Sequence, residues 1–508
     1  MIHAYQSNGI HIVLDVNSGA VHLPDALTYT LIPEVEQRLI RRFGTAAQTE
    51  NDGDQPDALS LQLVQELLSQ PGEEIAAALA VAIADAGDTD IDQLLGEALL
   101  EILTLREQGQ LYTEDPYEKY ATAFKNRQTV VKALCLNVAH DCNLACRYCF
   151  AGQGEYQGQR ALMPAEVGRA ALDFLVKNSG SRRNLEVDFF GGEPLLNWEM
   201  VKETVRYGRS LEEANNKHFR FTLTTNGTLL NDEILEFANR EMDNIVLSID
   251  GRREINDRMR PWRGAGTAEA GKTESVYDRI VPKYLEVARS RGGERYFVRG
   301  TFTRENLDFS EDVKHLADLG FTQISVEPVV ADPSEPYALR EEDIPKLLEE
   351  YDKLAEIYLD CHRKGRPFSF FHFNIDLEGG PCVAKRLSGC GSGCEYLGVT
   401  PSGDLYPCHQ FVGNEAFVMG NVFTGITRQD IREKFLASNV YTREECRSCF
   451  ARYYCSGGCA ANAWNFGGDI NANYPIGCAL QKKRIECAIM LKAALSGDQI
   501  SEKEGLQE

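Results

Sequence analysis

Three cysteines, Cys142, Cys146 and Cys149, stand four and three residues apart in Asp141-Cys142-Asn143-Leu144-Ala145-Cys146-Arg147-Tyr148-Cys149-Phe150. Thiolates at these spacings can wrap one iron–sulfur cubane, which normally takes four. Three leave one iron open to bind something else. Zinc is the competing reading, but zinc prefers paired C-x2-C knuckles and a fourth ligand, which this loop alone does not offer. Other chemistry-bearing groups follow. In Gly191-Gly192-Glu193-Pro194 the glycines let the backbone approach a ligand closely, and the carboxylate can accept hydrogen bonds from an ammonium. Thr224-Thr225-Asn226-Gly227 and Ser248-Ile249-Asp250-Gly251 offer hydroxyl, amide and carboxylate groups that could bond a ribose, and both also suit ordinary turns. Arg299 is placed to pair a carboxylate or to make a structural ion pair, and Glu327 is a candidate for a substrate pocket.

A second cysteine field lies further on. Cys446, Cys449, Cys455 and Cys459 form a C-x2-C-x5-C-x3-C run, and Cys478 follows. Upstream, Cys390 precedes Gly403 by thirteen positions, and Gly403 to Cys408 gives G-x4-C; Cys382 and Cys394 share this stretch. A zinc ribbon is the alternative here. Of the fifteen cysteines, Cys135, Cys361 and Cys487 lie in strand-like or helix-like stretches where inert buried thiols are the default. The rest fall in these two fields. In a large chain without a secretory signal, metal is a better explanation for them than disulfides.

The elements that must position these groups alternate. Strand candidates are Ala133–Val138, Leu185–Phe190, Arg220–Thr225, Asn244–Ile249, Tyr296–Thr301 and Gln323–Val326, short and apolar as buried parallel strands should be. Amphipathic helices such as Ala165–Lys177, Leu230–Arg240 and Glu341–Arg363 separate them. Six such units predict an α/β sheet curling into a partial barrel, whose chemistry belongs at the C-terminal ends of the strands. The motifs above lie there. Before the barrel, Ile10–Leu14 and Ala20–Leu23 around Asn17-Ser18-Gly19 read as a hairpin. Helices follow at Pro33–Phe43, Ala58–Leu68, Glu73–Ala86 and Ile91–Leu105, with a polar linker at Asn51–Asp57 and a short strand-like Leu111–Thr113 as a small wing. After about Gly379 the chain turns to short Gly- and Cys-rich segments with few apolar runs, which metal clusters could hold together. Residues 496–508 read as a polar tail.

Fifty-three basic and 76 acidic residues give a net charge of −23. Nucleic acid needs a basic footprint and is disfavoured as a partner. No stretch reaches the roughly 18 apolar residues of a membrane span, and Met1-Ile2-His3-Ala4-Tyr5 does not open a secretory signal. The expected location is the cytoplasm, with no membrane partner.

The triplet, with Tyr148 before its third cysteine, resembles the signature of the radical SAM superfamily, and the second field resembles the SPASM domain that follows many such barrels. Ile12-Val13-Leu14-Asp15-Val16-Asn17-Ser18-Gly19-Ala20-Val21-His22 and Pro407-Cys408-His409-Gln410-Phe411-Val412-Gly413 are similar to stretches of the SCIFF maturases, which form thioether bridges in Cys-rich ribosomal peptides. The likeness covers nearly the whole chain except about residues 45–90, an apparent insertion. It implies a winged-helix-like leader-recognition domain at 1–115, a TIM-like partial (β/α)6 barrel at 116–364 and a SPASM domain at 365–495.

By the same resemblance, Cys142, Cys146 and Cys149 hold the 4Fe–4S cluster that binds and cleaves S-adenosylmethionine. Gly191, Gly192, Glu193 and Pro194 receive its amino group, Arg299 its carboxylate, and Tyr148, Thr225, Asn226, Ser248 and Asp250 complete the cofactor site. Two auxiliary 4Fe–4S clusters follow, one on Cys390, Cys408 and Cys459, the other on Cys446, Cys449, Cys455 and Cys478. Cys394, Cys382 or a substrate thiolate is left as fourth ligand of the nearer one. A precursor peptide bound through its leader and an electron donor such as flavodoxin or ferredoxin are the implied partners. A sulfatase-maturase-like oxidase shares every cluster motif, and a non-enzymatic electron carrier or peptide scaffold is the reading from another class.

Overall fold

The computed structural model describes residues 1–44, 56–69, 73–86, 90–121, 123–156, 158, 160–264, 274–377 and 382–504. The chain opens with a strand the sequence did not announce. β1 (Ile2–Ser7), β2 (Ile10–Asp15) and β3 (Val21–His22) form an antiparallel sheet in that order. Asn8 and Gly9, both at positive φ, make the tight turn between the first two. Asp15 is fully buried. Its carboxylate accepts from the backbone of Ser18 at 3.0 Å and of Thr113 at 2.9 Å, closing the β2–β3 turn and tying it to the end of the helical unit.

The first helix spans Ala26–Phe43, capped by Asp25, so it starts seven residues earlier than Pro33, which sits inside it. Pro56–Ser69, Glu73–Ala86 and Ile91–Glu107 follow. Apart from Pro56 and Asp57, the expected linker at 51–57 lies outside the described residues. Leu31, Val35, Leu63, Leu67, Leu95, Leu99 and Ile102 form a core of their own; each such side chain contributes roughly 1.5–3 kcal/mol. Leu111–Thr113 is not a strand. Tyr112 takes a positive φ and its buried hydroxyl donates to the carbonyl of Ile32 at 2.7 Å, so tertiary packing, not ladder pairing, fixes these residues. The sheet of this unit is therefore the N-terminal meander and not a wing after the last helix.

The main sheet has eleven strands. β4 (Ala133–Ala139), β5 (Asn184–Gly191), β6 (His218–Thr225), β7 (Met242–Ser248), β8 (Tyr296–Phe302) and β9 (Gln323–Pro328) are the six expected, all parallel, and the two-residue β10 (Ser369–Phe370) pairs with β9 at the edge. On the other side, β11 (Tyr396–Val399) pairs parallel with β4, and β12 (Asp404–Tyr406), β13 (Gly420–Asn421) and β14 (Gly425–Ile426) continue antiparallel. The Cys-rich region thus extends the barrel sheet. Because β4 pairs with β5 and β11, it has no edge left for β9 or β10, and the barrel stays open.

Helix Ile344–Arg363 packs against the long C-terminal helix Pro475–Glu504. That helix carries through the expected tail at 496 as far as Glu504; 505–508 lie outside the described residues. Among the described residues no single helix is long and apolar enough to cross a membrane. One bent pair, Gln62–Ser69 with Glu73–Ala84, passes that test by composition, and its Leu63, Leu67, Ile75 and Leu79 are buried in the N-terminal core.

Candidate active site

The triplet occupies the irregular loop leaving β4, and its neighbours strap it down. Backbone N–H groups of Ala145 and Arg147 donate to the carbonyls of Pro261 and Met259 at 2.8 and 2.9 Å, and that of Arg263 donates to Asn143 at 3.0 Å. The Arg263 guanidinium pairs with Asp141 at 2.6 Å and reaches the carbonyl of Gln153 at 2.8 Å. The end of β5 lies directly against this loop. A Cβ on Gly192 would come within 2.0 Å of the Asp141 oxygen, and Gly191, at φ +125°, lies against Ala139. These glycines are there for backbone-to-backbone approach, which aims the cysteines.

All three thiols are half-buried and unpaired. Burial pushes Cys142 up to about 11, with Glu193 adding and the Leu144 N–H offsetting. Burial likewise takes Cys146 to about 12, against the opposing charge of Arg260. Burial of Cys142 and Cys146 opposes their thiolate forms, and iron bound to them would offset that. Among the described residues no three His, Cys, Asp or Glu side chains converge as a single ion requires. A cubane presents a different iron to each thiolate, so convergence on one point is not its requirement.

Two hydrogen-bonded networks back the loop. In the first, the fully buried Glu193 accepts from the backbone of Leu195 and Asn226 at 3.0 and 2.7 Å and from the Thr225 hydroxyl at 2.7 Å. Burial raises its carboxyl, partly offset by these donors. The Asn226 amide in turn donates to Asn143 at 2.8 Å and to the Cys142 sulfur at 3.6 Å. Pro194, also buried, opens a short 3-10 turn. In the second, the Tyr148 hydroxyl donates to Asp250 at 2.8 Å and accepts from Arg260 at 2.8 Å. Asp250 is fully buried and also accepts from the Thr301 N–H at 3.1 Å. Burial lifts its carboxyl to about 6 against the pull of Arg260 and Tyr148.

Of the expected cofactor residues, then, Glu193, Thr225 and Asn226 form one cluster and Tyr148 and Asp250 another, with polar atoms largely spent on each other. Ser248 is half-buried at the end of β7. Arg299 joins neither cluster; it stands 57% exposed, 3.6 Å from Glu327. The sequence reading missed Arg260 and Arg263. Both follow helix Arg253–Met259, and nothing in their local pattern marks them apart from ordinary helix-end arginines.

In the second field burial raises Cys446 to about 11 and Cys455 to about 12, and it raises Cys478 as well; the neighbouring Cys449 adds to all three. Two short helical turns, Glu444–Arg447 and Arg452–Cys455, and the first turn of the C-terminal helix bring them together. Cys408, buried, is raised by burial and by its neighbours Cys459 and Cys390. Cys394 is 1% exposed and its thiol donates to the Arg432 carbonyl at 3.6 Å; it lines one small cavity with Cys390. Cys382 is exposed where helix Val383–Ser388 begins. Between the two fields, Phe150, Phe190 and His409 pack together, with His409 Nδ1 2.8 Å from the Tyr396 hydroxyl.

Residues 136–270 match the family model described as the radical SAM superfamily. A protein of Methanocaldococcus jannaschii with no named activity is 28% identical over 294 residues, 58% of this chain and 89% of that one. The cysteine-type anaerobic sulfatase-maturating enzyme of Clostridium novyi is 25% identical over 337 residues, 63% of this chain and 86% of that one. Among solved structures, anSMEcpe with bound AdoMet shares the fold at a TM-score of 0.59 and 19% identity, covering 72% of this chain and 99% of that one.

The open α/β half-barrel with three thiols at its mouth defines a radical SAM enzyme, which uses a 4Fe–4S cluster and S-adenosylmethionine. Its Cys-rich C-terminal extension, where the SPASM resemblance falls, lies beyond the residues that the family model matches.

Proposed function

We propose that this enzyme installs thioether crosslinks, cysteine sulfur to carbon, in a Cys-rich ribosomally made precursor peptide. One observation carries the reading. Cys390, Cys408 and Cys459 neighbour one another while the Cys394 thiol hydrogen-bonds the Arg432 carbonyl, which supports reading the nearer auxiliary set as three thiols with the fourth place left to a peptide cysteine. When bound at the Cys142, Cys146 and Cys149 loop, the cluster and S-adenosylmethionine supply a 5′-deoxyadenosyl radical that takes hydrogen from carbon. The chain's own part is positional. Asn226, Arg263 and the Gly191-Gly192 turn hold the loop, and the Phe150, Phe190 and His409 rings help keep water from the space between the two cysteine fields. Residues 1–115, with their separate core, are the proposed leader-binding unit, where a peptide strand could add to the small sheet.

The similarity to sulfatase-maturating enzymes favours a second reading, oxidation of a single cysteine to an aldehyde. More than a quarter of this chain has no counterpart in the anSMEcpe structure, and an added N-terminal unit fits the first reading better.

The deciding experiment incubates anaerobically reconstituted enzyme with a Cys-rich peptide encoded nearby and reads the product by tandem mass spectrometry. A bridge removes two hydrogens and keeps the sulfur; an aldehyde loses it. Replacing Cys142, Cys146 and Cys149 by alanine should abolish deoxyadenosine while sparing leader binding. Deoxyadenosine from that variant would overturn the assignment.

A further inference from the structure

The concave side of the half-barrel holds positive charge that the chemistry above does not use. Val298, Ile324 and Val326 are fully buried under the helices. Arg299 alternates with Val298, and Ser325 and Glu327 with Ile324 and Val326, so these three face the open side. Among the described residues the Arg299 guanidinium makes one long ion pair, 3.6 Å to Glu327, while its backbone carbonyl accepts from Ile249 at 2.9 Å.

Glu327 has other partners. The Ser325 hydroxyl donates to it at 3.0 Å, and the His372 ring, just past β10, lies 2.8 Å away. Behind them is Arg484 of the C-terminal helix, 6% exposed. Its Nε donates to the Tyr351 hydroxyl at 2.6 Å, while its Nη2 is buried without a partner. Burial and Arg484 hold the His372 ring toward its neutral form. His372, Arg299 and Arg484 together overcome the burial of Glu327 and keep it ionised. One carboxylate thus faces two permanent cations, inside a chain whose net charge is −23. Such a charge arrangement on the open face favours an incoming anion.

The cofactor end already has its own cation. Arg260, buried beside Tyr148, is the arginine whose charge acts on Cys142, Cys146 and Glu193. Arg299 stands opposite Ser248 in the β7–β8 register, and its guanidinium lies 3.6 Å from Glu327 on β9. Next to it, Phe297 and the half-exposed Phe371 meet edge to face at 5.8 Å. This apolar pair sits at the open edge of the sheet, beside β10.

We infer that Arg299 is a specificity-determining residue that binds the carboxylate of an acidic side chain in the substrate peptide, with Phe297 and Phe371 supporting the residue beside it. The inference rests on the reading of the substrate as a peptide and not on which product forms. Arginine suits the task because its planar fork can grip both carboxylate oxygens.

The test uses three synthetic Cys-containing peptides, identical except for Asp, Asn or Lys at one position beside the acceptor residue. Their affinities for the reconstituted holoenzyme with S-adenosylmethionine are read by fluorescence anisotropy, along with the affinity for S-adenosylmethionine itself. The Asp peptide should bind about tenfold or more tightly than the Asn peptide, as expected of a hydrogen bond to a charged group. That preference should vanish in Arg299→Gln, survive in weakened form in Arg299→Lys, and shrink with salt. S-adenosylmethionine affinity is measured in both variants beside the peptide affinities, and unchanged visible absorption of the clusters reports that they remain folded. Equal binding of the three peptides overturns the inference. So does an Arg299→Gln variant that loses S-adenosylmethionine but keeps the Asp preference, since the carboxylate held would then be the cofactor's. Because affinity is measured, failure of thioether formation leaves this result standing, and the reverse also holds.

Discussion

The ring of Phe150 lies 5.7 Å from the imidazole of His409. Phe150 follows Cys149 and His409 follows Cys408, so the loops carrying the first triplet and the nearer auxiliary set touch through their next residues, with Phe190 packed on both. Phe150 is 54% exposed, so its truncation should cost little stability, within about 1 kcal/mol. On the proposed reading it walls the space between the loops. In Phe150→Ala we expect deoxyadenosine to form at near-normal rates while crosslinked peptide falls about tenfold, because water gains entry. The ratio of deoxyadenosine to product, measured in one reaction, checks this; an unchanged ratio refutes it.

Gly192 faces a harder limit. An added Cβ would meet the Asp141 carbonyl at 2.0 Å, and backbone cannot swing aside as a side chain can. Gly192→Ala should lose about 1–3 kcal/mol by overpacking and displace the cysteine loop. Iron content per chain after reconstitution, compared with wild type, is the direct readout, and full loading would contradict the geometry.

Asp188 gives a pH signature. Burial, helped by Glu186, raises its carboxyl to about 6, with Thr222 pulling the other way. An acid whose folded value is raised stabilises the fold below the ordinary carboxylate range of about 4, and that contribution is lost as pH climbs through about 6. Thermal midpoints from about pH 5 to 7.5 should therefore fall more steeply in wild type than in Asp188→Asn. Parallel curves would count against it.

Asp115 latches the N-terminal unit to the Cys-rich region. Its carboxylate accepts from the hydroxyls of Tyr441 and Tyr453 at 2.8 and 2.6 Å and pairs with Arg452 at 3.0 Å. Asp115→Ala removes the acceptor those partners share, at a cost of about 2 kcal/mol. Urea unfolding should show the loss, and limited trypsin digestion should cut faster near residue 119. Clusters and deoxyadenosine formation should be unaffected.

The sequence by itself determined the cysteine chemistry and the six parallel strands. Both are local: ligand spacing is set within a few residues, and a strand buried on both faces must be a short apolar run wherever it lies, as Ala133–Ala139 is. Tertiary structure alone decided which groups meet. That β11 extends the barrel by pairing with β4, that Tyr148 stands between Arg260 and Asp250, and that Cys394 bonds the Arg432 carbonyl depend on contacts between residues far apart in the chain. So did the N-terminal meander and the fate of Leu111–Thr113, where packing of Tyr112 against Ile32 overrode a strand-like pattern. Spacing along a chain fixes what a residue can bind; only the closed path of the backbone fixes what it is offered.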